Sequence, residues 1–131
     1  MNKIIWTNGC FDVLHVGHIE MLKYAKSLGD ILIVGIDSDR RVKSLKGSNR
    51  PINNENDRKK MLESIRYVDE VKIFDSEQQL QGLISIFAEE MVVGDDYINK
   101  RVIGSENVCK VHFFKKLANY STSKILEHKN E

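Results

Sequence analysis

The chain is expected to fold as an α/β domain with a doubly wound, mainly parallel five-stranded sheet. Two observations lead there. Short apolar runs alternate with stretches of helical period along the whole chain, and the runs are close to continuous, as in strands covered on both faces. With 131 residues and a hydrophobic fraction of 41%, the sequence has the size and apolar content for one core, so residues 1–131 are assigned to a single domain. No repeat, low-complexity tract or linker interrupts it.

Residues 4–7 make the first strand. From 17 to 28, Ile19, Leu22, Ala25 and Leu28 recur on one helical face, and Gly29 ends the helix. Residues 31–36 are a second apolar strand, followed by a stretch read as a basic loop. Asn53 is the expected cap of a helix from 54 to about 67, with Glu55 and Asp57 in its acidic first turn. Then come a strand at 71–74, a helix at 77–87, and strands at 91–93 and 111–114. Ser121 is expected to cap a last helix reaching about residue 128. In such a sheet ligands bind outside the carboxyl ends of the strands.

A formal charge of +1 creates no broad field to attract nucleic acid or an anionic membrane. Positive charge is local instead, at Arg40, Arg41, Lys43, Lys46 and Arg50. The two cysteines, Cys10 and Cys109, lie far apart without metal-ligand spacing, and the N-terminus shows neither a long apolar segment nor a cleavage pattern. The expectation is a reduced, cytoplasmic chain with no nucleic-acid or membrane partner. Cys10 reads as a small residue filling a turn rather than as a nucleophile.

The segment Gly9 to His18, G-C-F-D-V-L-H-V-G-H, follows the first strand directly. A strand that opens into a glycine-containing turn and then a helix presents backbone N–H groups and a helix N-terminus to an anion. His15 and His18 add imidazole donors at the same point, and Gly17 between them lets phosphate approach the backbone closely. The segment is therefore read as a phosphate site, against the plainer alternative of two capping or core histidines.

H-x-G-H preceded by G-x-F-D resembles the nucleotidyltransferases of the cytidylyltransferase-like superfamily, whose fold is Rossmann-like. Further along, L-K-G-x-x-R-P-x-N followed by Arg58 is similar to the adenylyltransferase domain that activates heptose 1-phosphate, and I-R-Y-V-D-E-V at 65–71 is similar to glycerol-3-phosphate cytidylyltransferase. The segment V-V-G-D-D-Y resembles the G-D-D element of the nucleotide pocket, and Y-S-T-S-K resembles the I-S-T-S element that binds the triphosphate. One departure stands out: where the cytidylyltransferases carry R-T-x-G, this chain has Lys116-Leu117-Ala118-Asn119. Lys116 can restore the charge but not the bidentate fork of arginine.

The resemblance implies transfer of a nucleoside monophosphate from ATP or CTP to a phosphorylated sugar or polyol, with release of pyrophosphate. Carried over by position, it implies catalytic roles for His15, His18 and Lys46. It places Gly9, Cys10, Phe11, Gly17, Arg58, Gly94, Asp95, Tyr97, Ser121 and Thr122 at the nucleotide, and Asp12 and Lys43 at the acceptor. It also implies Mg²⁺ carried by the nucleotide phosphates, with no protein metal site, and a homodimer. Asp96, beside Asp95, reads as a loop-ordering group. Two readings of other classes are a nucleotide-binding regulatory module without turnover and a flavodoxin-like FMN carrier; the second suits the fold but leaves H-x-G-H without a purpose.

Overall fold

The computed structural model describes residues 2–115. The expected cap at Ser121, the last helix, Thr122 and Lys116 lie outside the described residues. In chain order the elements are β1 (Ile4–Gly9), α1 (Val16–Ser27), β2 (Ile31–Asp37), α2 (Asp39–Lys46), α3 (Glu55–Glu63), β3 (Glu70–Phe74), α4 (Glu77–Phe87), β4 (Glu90–Gly94) and β5 (Lys110–Phe114). Single 3-10 turns at Asp95–Tyr97 and Ser105–Asn107 lie between the last two strands. The five strands form one sheet in the order β3-β2-β1-β4-β5, and every pairing is parallel.

Side chains alternate across the pleat, so each strand feeds two cores. Ile5, Leu32, Val34, Ile36 and Val92 pack with Leu22 and Ala25 of α1 and Leu62 of α3. Trp6, Ile33 and Met91 point to the opposite face, against Leu80 and Ile84 of α4 and Val102 beyond it. Because both faces are covered, the strands read as continuous apolar runs in the sequence. Gly35 makes room for the largest of these side chains: a Cβ there would lie 2.4 Å from the Trp6 ring.

Two expected boundaries need correction. The stretch after β2 is not a basic loop but helix α2, capped by Ser38, whose hydroxyl accepts from the Arg41 N–H; Val42 is its buried residue. A single apolar anchor in a basic segment leaves little helical period to read. The next helix is capped by Asn54, not Asn53, and stops at Glu63 rather than near 67. Ser64 donates its hydroxyl to the Lys60 carbonyl at 2.9 Å, and the N–H groups of Ile65 and Val68 close tight turns onto Leu62 and Ile65. Asn53 has different work, described below.

The topology prepares the site. β1 pairs with β2 over its full length, from Ile4↔Ile31 to Gly9↔Ile36, but with β4 only at Ile5↔Glu90 and Trp6↔Met91. Beyond that point the Thr7 hydroxyl bridges to the Val92 carbonyl at 2.9 Å. The chain winds outward from β1 in opposite directions, through β2 on one side and β4 on the other, which leaves a crevice at the carboxyl end of β1.

Candidate active site

The crevice is entered by residues 9–18. Phe11 takes a positive φ of 51°, a conformation that is rare for a bulky residue and concentrates at functional turns. The bend folds its ring back over Gly9, where a Cβ would lie 3.2 Å from the ring, and buries it in the α1-side core. His15 is the N-cap of α1 in extended conformation. Its ring stacks on His18 at a centroid distance of 3.8 Å, and Phe11 lies against the other ring at 5.2 Å.

The His15 backbone N–H donates to Nδ1 of His18 at 3.2 Å. A ring nitrogen that accepts an amide N–H carries no proton, so His18 is assigned as the neutral imidazole with its proton on Nε2. The geometry thus makes His18 a donor without requiring it to be charged. The amides of Val16 and Gly17 precede the first intrahelical donor, the His18 N–H, which bonds to the His15 carbonyl, and they add the partial positive charge of a helix N-terminus.

The second wall is built by the segment between α2 and α3. Asp12, whose side chain is fully buried, accepts the Ile52 and Asn53 N–H groups, each at 2.8 Å, and Nε of Arg50 at 2.8 Å. Asn53 returns a bond from its side-chain amide to the Asp12 carbonyl at 2.6 Å. Burial pushes the Asp12 carboxyl up, but these hydrogen bonds and the Arg50 charge outweigh it and hold it below the usual carboxylate range.

The cytidylyltransferase-like family model matches residues 6–128. The chain belongs to the cytidylyltransferase-like family. It is similar to the bifunctional protein HldE of Helicobacter pylori, with 48% identity over 125 residues, 95% of this chain and 27% of that protein. The corresponding figures for HldE of Campylobacter jejuni subsp. doylei are 47%, 95% and 27%. The chain therefore spans about a quarter of the length of these curated relatives. A lipopolysaccharide core biosynthesis protein from Thermoplasma volcanium shares the fold, with a TM-score of 0.73 at 24% identity, covering 89% of this chain and all of the other. As a member of the cytidylyltransferase-like family, the chain is a nucleotidyltransferase.

Within this family site the residues expected from sequence separate into groups. Gly9, Cys10, Phe11, Gly17, His15 and His18 all lie at the β1–α1 junction. Gly94 ends β4 across the crevice, and Asp95 and Tyr97 form the turn after it, with Tyr97 exposed. Asp96 shares that turn. Lys43 and Lys46 sit exposed in the last turn of α2. Burial pushes the Cys10 thiol up, and the Lys46 and Arg58 charges only partly offset it. A thiol so placed is a poor nucleophile.

Two residues differ from expectation. Arg58 is 1% exposed and spends its guanidinium on protein acceptors. Nε donates to the Asn53 carbonyl at 2.9 Å, Nη1 to Cys10 and Asp37 carbonyls at 3.0 and 2.7 Å, and Nη2 to Asp39 at 2.8 Å. It binds the wall of the pocket together rather than facing its interior. Asp12, expected at the acceptor, is likewise saturated by Arg50, Ile52 and Asn53 and acts on the site through them. Arg50 itself was absent from the expected site; its signal was the R-P-x-N string that carried the resemblance.

Among the described residues no cluster of three His, Cys, Asp or Glu side chains could hold a metal ion. Mg²⁺ at phosphoryl-transfer sites keeps several waters and binds largely through substrate phosphates.

Proposed function

We propose that this chain transfers adenylate from ATP to a heptose-like sugar 1-phosphate and releases pyrophosphate. The observation that carries the reading is the stacked His15–His18 pair at the start of α1, the helix that follows the carboxyl end of β1. The similarity to HldE, and the L-K-G-x-x-R-P-x-N string within it, supports the choice of ATP and a sugar phosphate over CTP and glycerol 3-phosphate.

An acceptor phosphate monoester has a second pKa near about 6, so its oxygen is already ionised at neutral pH and needs no strong base. Catalysis then rests on alignment and on charge stabilisation. The acceptor oxygen attacks the α-phosphorus in line as the bond to the pyrophosphate oxygen breaks. His18 donates through Nε2 and His15 stands beside it. Lys46 brings a mobile charge from the end of α2, and the amides at the start of α1 face the phosphates. Gly94, Asp95 and Tyr97 border the nucleoside, and Ser121 and Thr122 belong to the triphosphate side by resemblance. Mg²⁺ bound by the nucleotide would neutralise phosphate charge. A homodimer in the cytoplasm completes the proposal.

A pyrophosphate-release screen of four nucleoside triphosphates against sugar 1-phosphates and polyol phosphates tests it. ATP with a heptose 1-phosphate should give the highest kcat/KM. Faster turnover of CTP with glycerol 3-phosphate would reverse the choice of substrates, and no pyrophosphate with any pair would favour a binding module without turnover.

A further inference from the structure

We propose that Arg50 grips the phosphate of the acceptor and that Asp12 is the positioning residue that aims it; the acceptor's identity as a sugar phosphate rests on the function proposed above. The guanidinium carries Nε and Nη2 along one edge, a fork suited to two oxygens. Here the fork is half engaged. Oδ2 of Asp12 takes Nε of Arg50 and the Ile52 N–H, and Oδ1 takes the Asn53 N–H. Nη2 has no hydrogen-bond acceptor among the described residues and is closed off from solvent.

A buried donor without an acceptor is costly and calls for an explanation. Close packing alone does not supply one, because Arg58, more deeply buried a few residues away, places each of its three guanidinium nitrogens on an acceptor. Among the described residues Arg50, beside the β1–α1 turn, has Asp12 as the acceptor of Nε and no acceptor at Nη2. Its side chain is 14% exposed, against 0% for Asp12, so the pair is fixed from below by Asp12. An incoming phosphate, entering over the exposed part of the side chain, brings the oxygen that Nη2 lacks.

Position indicates which phosphate. The segment carrying Arg50 joins α2 to α3 on the β2 side of β1, whereas Gly94 and the turn after it border the crevice from the β4 side. With the nucleoside along the β4 side, the phosphate held by Arg50 stands opposite, where the acceptor must come from for an in-line attack. Lys46, whose charge reaches the Cys10 thiol, completes the positive rim on that side.

Inorganic phosphate is the probe, titrated into the whole chain with the nucleotide site filled by α,β-methylene-ATP and followed by calorimetry and by the Arg Nε–Hε NMR signals. Wild type should bind phosphate with a shift of the Arg50 signal. Arg50→Gln and Arg50→Lys should each weaken phosphate binding roughly tenfold or more, since lysine offers a point charge without the fork. Both should leave affinity for the ATP analogue within about twofold. In turnover the KM for the sugar 1-phosphate should rise while the KM for ATP holds. Asp12→Asn should weaken phosphate binding and broaden or move the Arg50 signal even with charge at position 50 intact. Arg50→Lys retains the cation beside Asp12, so it decides the matter if Arg50→Gln does not fold. Wild-type phosphate affinity in Arg50→Lys, or equal losses for phosphate and nucleotide analogue, would overturn the assignment. Phosphate binding that depends on Arg50 without turnover of any sugar 1-phosphate would uphold the site and refute the reaction.

Discussion

At the scale of single residues, His18 and Arg58 show how burial and bonding separate chemistry from architecture. His18 accepts the His15 amide through Nδ1 and packs between two rings, which leaves Nε2 as its directional donor. His18→Ala should lower kcat by roughly a hundredfold or more, as loss of one preorganised charge-stabilising donor does. Its urea midpoint should correspond to a change of no more than about 1 kcal/mol. Near-normal turnover would remove His18 from the mechanism. Arg58 should behave in the opposite way. Removing it strips partners from three carbonyls and from Asp39 and leaves a cavity beneath the turn. Arg58→Ala should therefore cost about 2–4 kcal/mol of stability, measurable by urea unfolding. A stable Arg58→Ala enzyme with weak nucleotide binding would restore the role expected from sequence.

The elements show what a sequence makes legible. β1, β2 and β4 were readable because a strand buried on both faces is a continuous apolar run, and α4 because Leu80, Leu83, Ile84 and Phe87 recur at helical spacing. α2 was not readable, because its helical face rests on Val42 alone and its stability comes from partners elsewhere in the chain. Arg58 holds Asp39, and the Glu55 side chain accepts the Asp39 N–H at 2.9 Å. For the same reason the position of the histidines was evident, while the wiring of Asp12 to Arg50, Ile52 and Asn53 was not: those bonds span about 40 positions in sequence and leave no periodic trace. The rigid base of α2 has a kinetic consequence. Lys46 extends from an anchored helix without contributing to the core, so Lys46→Ala should lower kcat/KM by about tenfold or more at unchanged urea midpoint, a loss typical of one charged contact. Unchanged kinetics would leave Lys46 as an ordinary solvated charge.

For the molecule as a whole, carboxylates in separate regions share one direction of shift, and this sets how stability responds to acid. The Asp75 carboxyl is held low by the Ser38 hydroxyl and the Arg40 guanidinium, and Glu90 by His112 and Lys3 on its two oxygens. At Asp69 and Asp12 burial pushes upward, yet hydrogen bonds and neighbouring cations prevail and both end below the usual value. In the unfolded chain such groups take up protons near pH 4. The native protein resists protonation until lower pH, so between those limits the unfolded state binds more protons and stability falls as the solution is acidified. The urea midpoint should be nearly level from about pH 7 to 5.5 and decline through about pH 4 and below, where the native carboxylates protonate in turn. Asp75 and Glu90 lie near the surface and their contributions should shrink in high salt. The buried Asp12 should retain its share, so Asp12→Asn should flatten the acid limb in high salt more than Asp75→Asn does. A midpoint level down to pH 3, or equal flattening by the two variants in high salt, would show that the wiring beneath the β1–α1 turn does not carry the acid sensitivity of the fold.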